Sequence, residues 1–283
     1  MTRASTAAAG TSHEVRFQFG KNWGRFLGVL DGERIAEAER SLTEMLQMPD
    51  LRGRSFLDVG SGSGLLSLAA KRLGAKRVHS FDYDADSVAS TRELKRRFYA
   101  NDTDWTVEQG SVLDPQYLQS LGTFDIVYSW GVLHHTGDMW RALDGVTELV
   151  GPGGRLFVAI YNDQGVTSRR WMSIKRLYNQ GPVPIKLGLI FAVGTYWGIR
   201  GALRRFIELK NPLGVLRFQE TKEQRGMSLW HDLVDWVGGY PFEVAKPEDV
   251  VELGRTRGLA LERLKTVGGT HGNNEFVFIR DVR

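Results

Sequence analysis

Asp58, Gly60, Gly62 and Gly64 fall close together in SFLDVGSGSGLLSLAA, between a short apolar run and the start of an apolar helix. A strand that turns through glycines into a helix gathers backbone N–H groups and the positive helix end at one spot. Glycine also lets a ligand approach the backbone and allows left-handed dihedrals at no steric cost. In a parallel sheet, Asp58 and the turn Gly60-Ser61-Gly62 then sit at the carboxyl end of the strand, where ligands bind. The dinucleotide fingerprint places its third glycine at the sixth position. Counted from Gly60 that position is Leu65, and the glycine stands at Gly64 instead. A second acid, Asp82, lies 22 residues past Gly60, about where a carboxylate accepts hydrogen bonds from ribose hydroxyls. Its neighbours Asp84 and Asp86 read better as acids at a helix N-terminus.

Leu133-His134-His135 supplies the best candidate base, because histidine titrates near neutral pH. The plainer reading is that one of the two rings packs against or caps the next helix. His231 and Asp235 are four apart on a presumed helix and share one face, as a base and its orienter or as a solvated helix end. GGYPF is a tight turn that sets Tyr240 at a rim. Tyr161 at the end of RLFVAIY, and His271, Asn273 and Asn274 in the last loop, are further candidates to line a pocket. Phe17, Phe19 and Trp23 form either a lid or simple packing of an N-terminal arm.

These residues need a scaffold, and the chain supplies alternating elements. Helical spacing covers Glu33 to Met48. Strands are expected at Ser55–Val59, Arg77–Phe81, Trp105–Gln109, Phe124–Ser129 and Arg155–Tyr161, with helices at Leu65–Leu73, Asp86–Tyr99 and Met139–Val150. Such alternation predicts a parallel sheet with helices on both faces. The pattern breaks between Asp163 and Trp230, where Ser168–Tyr178 reads as a basic helix and Leu187–Ile199 as an apolar run of 13 residues. That run suits a buried helix of an inserted cap, a dimer contact, or a segment lying on a membrane beside Arg200, Arg204 and Arg205, and the cap is the favoured reading. A helix at Pro247–Arg257 and strands at Leu259–Val267 and Glu275–Ile279 close the chain. The expected organisation is a tail (1–12), a helical arm or lid (13–50), a core (51–162 and 241–283) and an inserted helical cap (163–240) that binds substrate.

The chain has 283 residues, 42% hydrophobic and 25% charged, which fits a soluble globular protein. It has no cysteine, so disulfides and thiolate chemistry are excluded, and its first residues lack the apolar core of a secretory signal. A cytoplasmic location is therefore expected. Net charge is +4 but uneven: Asp163–Trp230 carries 12 Lys and Arg against four acids, and the remainder is net acidic.

FLDVGSGSG, VHSFDYD, VEQGSVLD, FDIVYSWGVLHH and LVGPGGRLFVAIY occur in an order and spacing that resembles the class I S-adenosylmethionine (SAM) methyltransferases. The likeness covers about Arg54 to Tyr161 and is similar in detail to the small-molecule branch that includes the ubiquinone-pathway O-methyltransferases. It implies a Rossmann-like α/β fold with seven strands, the last antiparallel, and a helical insertion after strand five. By position, Asp58 and Gly60, Ser61, Gly62 and Gly64 would line the methionine part of SAM, and Asp82 and Tyr83 the ribose. Ser111 and Val112 would frame the adenine, with Ser129 and Trp130 on the sulfonium side. Ser129-Trp130-Gly131-Val132 replaces the NPPY-type motif of nucleobase and amide methyltransferases. Gly131, His134 and His135 stand where cation-dependent quinone methyltransferases place Glu, Glu and His, so no metal is expected. The resemblance implies methyl transfer from SAM, with S-adenosylhomocysteine as product, to a small, partly apolar acceptor, with oxygen the favoured atom. Catalytic candidates are His135, His134 and His231, and acceptor-pocket candidates are Trp23, Tyr161, Asp235, Tyr240, His271 and Asn273. Two rivals are an RNA methyltransferase using the basic insertion and a SAM-fold scaffold docking on membrane or protein through 187–205.

Overall fold

The computed structural model describes residues 17, 20, 23, 26–28, 30–208, 229–269 and 272–282, and for 206, 229–232 and 235 the backbone alone. Helix α1 (Gly32–Leu46) is followed by β1 (Ser55–Val59), α2 (Leu65–Arg72), β2 (Arg77–Asp82), α3 (Ala85–Tyr99) and β3 (Trp105–Gln109). Next come α4 (Pro115–Leu121), β4 (Phe124–Trp130), a 3-10 turn (Leu133–His135), α5 (Met139–Glu148) and β5 (Val150–Tyr161). The insertion contributes α6 (Val166–Gln180), α7 (Val183–Ile207) and α8 (Leu229–Gly238), and α9 (Pro247–Thr256), β6 (Leu259–Lys265) and β7 (Asn273–Arg280) complete the chain.

The seven strands form one sheet in the order β3-β2-β1-β4-β5-β7-β6, with β7 antiparallel to β5 and β6. Period-two alternation explains why the central strands read as continuous apolar runs. Phe56, Ile126, Phe157 and Val277 face the core beneath α1, α2 and α3, while Leu57, Val127, Val158 and Phe276 face the core beneath α4, α5 and α9. Strand order reverses between β1 and β4, and the carboxyl ends of these two strands are therefore the natural ligand crevice.

Four differences from the expected elements have local causes. Helix α4 was not anticipated, although Asp114 accepts from Gln116 N and Tyr117 N and Pro115 sits in its first turn, a start signal present in the sequence. Residues 150–154 join β5 rather than only stopping a helix, because Phe124 pairs with Val150. His134 and His135 lie in a separate 3-10 turn, not in the following helix.

The fourth difference concerns the apolar run. It lies within α7, but only Ile190 and Val193 are fully buried, while Leu187, Phe191, Tyr196 and Ile199 are exposed, so the expected buried cap helix is half uncovered. The small cluster of Trp171, Tyr178, Ile190, Val193, Val237 and Phe242 holds α6, α7 and α8 together. It is one layer thick and covers one side of α7.

Candidate active site

At the end of β1 the chain turns sharply toward α2. Gly60 (φ +77°) could not carry a side chain, since a Cβ would lie 2.4 Å from a Val132 methyl. Gly60 N and Ser61 N donate to Phe81 O, and Gly62 N donates to Asp82 Oδ2 at 2.9 Å. Asp84 N donates to the other oxygen, Asp82 Oδ1, at 2.9 Å, so Asp82 pins the glycine turn to the end of β2. Burial pushes the Asp82 carboxyl up to about 6, against the pull of those N–H donors.

Asp58 is 2% exposed and accepts from Ser67 Oγ at 2.5 Å. Ser67 in turn pairs with Ser80 at 2.7 Å, and Trp105 Nε1 donates to Ser80 Oγ at 2.9 Å. Burial pushes Asp58 up to about 7 despite the Ser67 hydroxyl, and the nearby Asp82 adds to the rise. Among the described residues no cation stands beside either carboxylate, which suits the pair to a ligand rich in donors or positive charge.

Both acids open onto one cavity of about 1130 Å³. Gly60, Ser61, Gly62, Tyr83, Ser111, Val112 and Trp130 share its wall, as do Trp23, His135, Tyr161, Tyr240 and Asn273. Four predicted residues do not. Ser129 is fully buried and donates to Val59 O, because strand alternation turns it away from the side that Trp130 faces. Gly64 is the left-handed cap of α2, packed on Thr91. His134 is fully buried, stacks on Tyr161 at 3.8 Å and accepts from Tyr161 N, so it braces the wall from behind. Asn274 ties the last loop to Asn162 and Val267. His271 and the side chains of His231 and Asp235 lie outside the described residues.

His135 is different. Its Nδ1 lies 2.6 Å from Pro241 O, and a carbonyl can only accept, so Nδ1 carries the proton and Nε2 the lone pair. Desolvation, and secondarily the charge of Lys175, hold the ring well below the usual histidine range, at about 3. Lys175 is fully buried, donates to Trp236 O and lies over the Trp236 and Phe242 rings at 4.6 and 4.9 Å.

Sequence reasoning missed several wall residues. Trp236 joins Tyr161, Trp171 and Trp197 in an aromatic cluster contributed by β5 and the insertion. Glu275 accepts from Trp130 Nε1 at 3.0 Å. A charged residue in EFVFI, on a strand otherwise buried, was the available signal for it. The N-terminal segment bridges the two sides. Gly20 N donates to Asp84 Oδ2, Trp23 lies against Gly62, and Phe17 N donates to Tyr240 O.

Residues 57–156 match the family described as a methyltransferase domain. Ribosomal protein L11 methyltransferase of Thermotoga maritima is 37% identical over 102 residues, covering 36% of each chain. Ubiquinone biosynthesis O-methyltransferase of Rhizobium etli is 33% identical over 113 residues, covering 40% of this chain and 43% of that one. The chain thus spans under half the length of these curated relatives. Magnesium protoporphyrin IX methyltransferase of Synechocystis, solved with bound S-adenosylhomocysteine, superposes with a TM-score of 0.51 at 15% identity, over 92% of this chain and 94% of that one, a likeness of fold. Residues 57–156 thus carry a methyltransferase domain of the class I SAM-dependent kind. SAM is the cofactor of this methyltransferase fold, and the cavity fits it: two carboxylates for donors and cationic groups, a glycine turn with no Cβ in the way, and indole faces that attract a sulfonium. Among the described residues no three His, Asp or Glu side chains cluster as metal ligands, and no helix is long and apolar enough to cross a membrane.

Proposed function

We propose that this methyltransferase moves a methyl group from SAM to an oxygen of a small, partly apolar acceptor, with His135 taking the hydroxyl proton. The observation that carries the reading is the His135 tautomer: a neutral ring with its lone pair on Nε2, held by Pro241 O on the wall where the aromatic cluster begins. Bound SAM supplies a methyl group already activated on a sulfonium, so positioning and proton removal are what remain. Asp82 accepts from the ribose hydroxyls, Asp58 and the Gly60–Gly62 turn receive the amino-acid end, and Ser111 and Val112 frame the base. Trp130 lies toward the sulfonium, with Trp23 as a lid. A cavity of about 1130 Å³ exceeds the usual volume for one small ligand, roughly 300–1,000 Å³, and leaves room for an acceptor beside the cofactor. Trp236, Trp197, Tyr161 and Tyr240 make that remainder aromatic, which suits a flat hydroxylated ring.

The ribosomal protein relatives favour a protein acceptor as the rival. Against it, the family match at residues 57–156 stops before the insertion, whose aromatic residues line the acceptor side. Transfer of labelled methyl from SAM, assayed across phenols, catechols, amines, ribosomal protein and RNA, separates these readings. Labelled ether products support oxygen transfer, and label confined to protein, RNA or amines overturns it.

Proton linkage gives a further expectation. An ionised Asp82 accepts from ribose, whereas below about 6 the free site holds a proton that the ligand must displace. With Asp58 held at about 7 as well, SAM affinity should be level only above about pH 8 and weaken toward acid as Asp58 and then Asp82 take up protons, each adding up to about tenfold per unit well below its own value. Calorimetry across pH, in buffers of differing ionisation enthalpy, reads both the slope and the released proton.

A further inference from the structure

We infer that α7 docks this protein on an anionic lipid surface, lying in the plane of the interface with its outer apolar face among the acyl chains. Helical spacing sets the geometry. At 100° per residue, Phe191, Ala192 and Ile199 fall opposite Ile190 and Val193, the two residues that pack on the rest of the insertion, with Leu203 toward the edge of that outer face. The outer residues are uncovered among the described residues: Phe191 is 76% exposed, Ile199 65% and Leu203 58%. No charge falls between Lys186 and Arg200, so this surface is uncharged for nearly four turns, with the hydroxyls of Thr195 and Tyr196 its polar groups.

The charge around it has one sign. Between Asp163 and Glu208 the sequence holds eight Lys and Arg and no acid. Arg169, Arg170 and Arg176 of α6 and Arg200 and Arg204 of α7 are exposed. An apolar helix face edged by arginines and lysines matches an interface of acyl chains beneath anionic headgroups. Spanning is excluded for α7, since no described helix is long and apolar enough to cross a membrane.

A second copy of the chain fits this face less well. An antiparallel pairing of two α7 helices brings Lys186 of each toward Arg200 and Arg204 of the other, and the nearest acid, Glu208, is bound by Arg204 at 2.8 Å. Nucleic acid would meet the cations but leave the apolar face in water. The docking helix also reaches the cavity, because Trp197 of α7 lines its wall and lies 6.1 Å from Trp236. Docking would thus set the acceptor side of the cavity close to the lipid boundary.

Flotation of the full chain through a sucrose gradient tests this, using phosphatidylcholine vesicles with and without phosphatidylglycerol. The expected result is flotation with the anionic vesicles, reduced about tenfold or more with phosphatidylcholine alone and weakened by added salt. The double variant Phe191→Asp, Ile199→Asp should stay at the bottom of the gradient. It should bind SAM within about twofold of the parent by calorimetry, which shows that the fold is intact. The inference is overturned if the parent fails to float with anionic vesicles or if the variant floats as the parent does. Self-association in sedimentation, abolished by the same substitutions and without flotation, would instead assign the face to a second copy. The outcome is independent of the acceptor, so it stands or falls apart from the proposed reaction.

Discussion

Replacing Asp82 with alanine should lower the affinity for SAM by at least about 100-fold, measured by calorimetry at pH 7.5. Each hydrogen bond from a ribose hydroxyl to an ionised carboxylate is worth about 1.5–3 kcal/mol, and two are lost together. The same change removes the acceptor of Gly62 N and of Asp84 N, so the glycine turn loses its tie to β2. Asp82→Asn keeps the shape and one acceptor oxygen and should fall between the two. An alanine variant with the parent's affinity would place the ribose elsewhere in the cavity.

His135→Ala should cut kcat by about 10²- to 10⁴-fold while SAM affinity stays within about threefold. The ring lies on the acceptor wall rather than among the residues proposed to hold SAM, so turnover and donor binding should separate. His135→Gln is the companion variant, because its amide can still donate to Pro241 O and guards against a general loosening of that loop. With the ring held at about 3, His135 is unprotonated throughout the range from pH 5 to 8. At saturating SAM and acceptor, kcat in the parent should therefore show no acid limb from this group across that range, while the KM for SAM rises as Asp82 takes up its proton. An alanine variant with near-normal kcat would sink the assignment of the base.

Much of the glycine-turn side of the cavity was legible in the sequence because its constraints are local. A glycine that cannot bear a Cβ, an acid at the end of a short apolar run and a second acid one βαβ step later leave marks that spacing reveals. What spacing does not reveal is which way each of two adjacent residues faces. Ser129 and Trp130 are adjacent, and alternation sends only one to the cavity; His134 and His135 are adjacent in a 3-10 turn, and only one reaches it.

The acceptor half was less legible because residues far apart in the chain build it. Glu275 reaches Trp130 only because β7 inserts beside β5, a neighbour relation that no local pattern encodes. Trp236 reaches Tyr161 only because the insertion folds back over the end of β5. The half-uncovered state of Leu187–Ile199 was not legible for a different reason. An apolar helix announces that it needs cover, but its sequence does not say whether its own chain supplies it.

The strap formed by Phe17, Gly20 and Trp23 has a kinetic consequence. It is fastened at both lips of the cavity, to Asp84 on one side and to Tyr240 on the other. These ties join the glycine-turn side of the cavity to the Tyr240 side across a ligand held between them. A first round of product faster than the steady rate, read by rapid-quench kinetics, is the expected sign that these ties must loosen at each turnover.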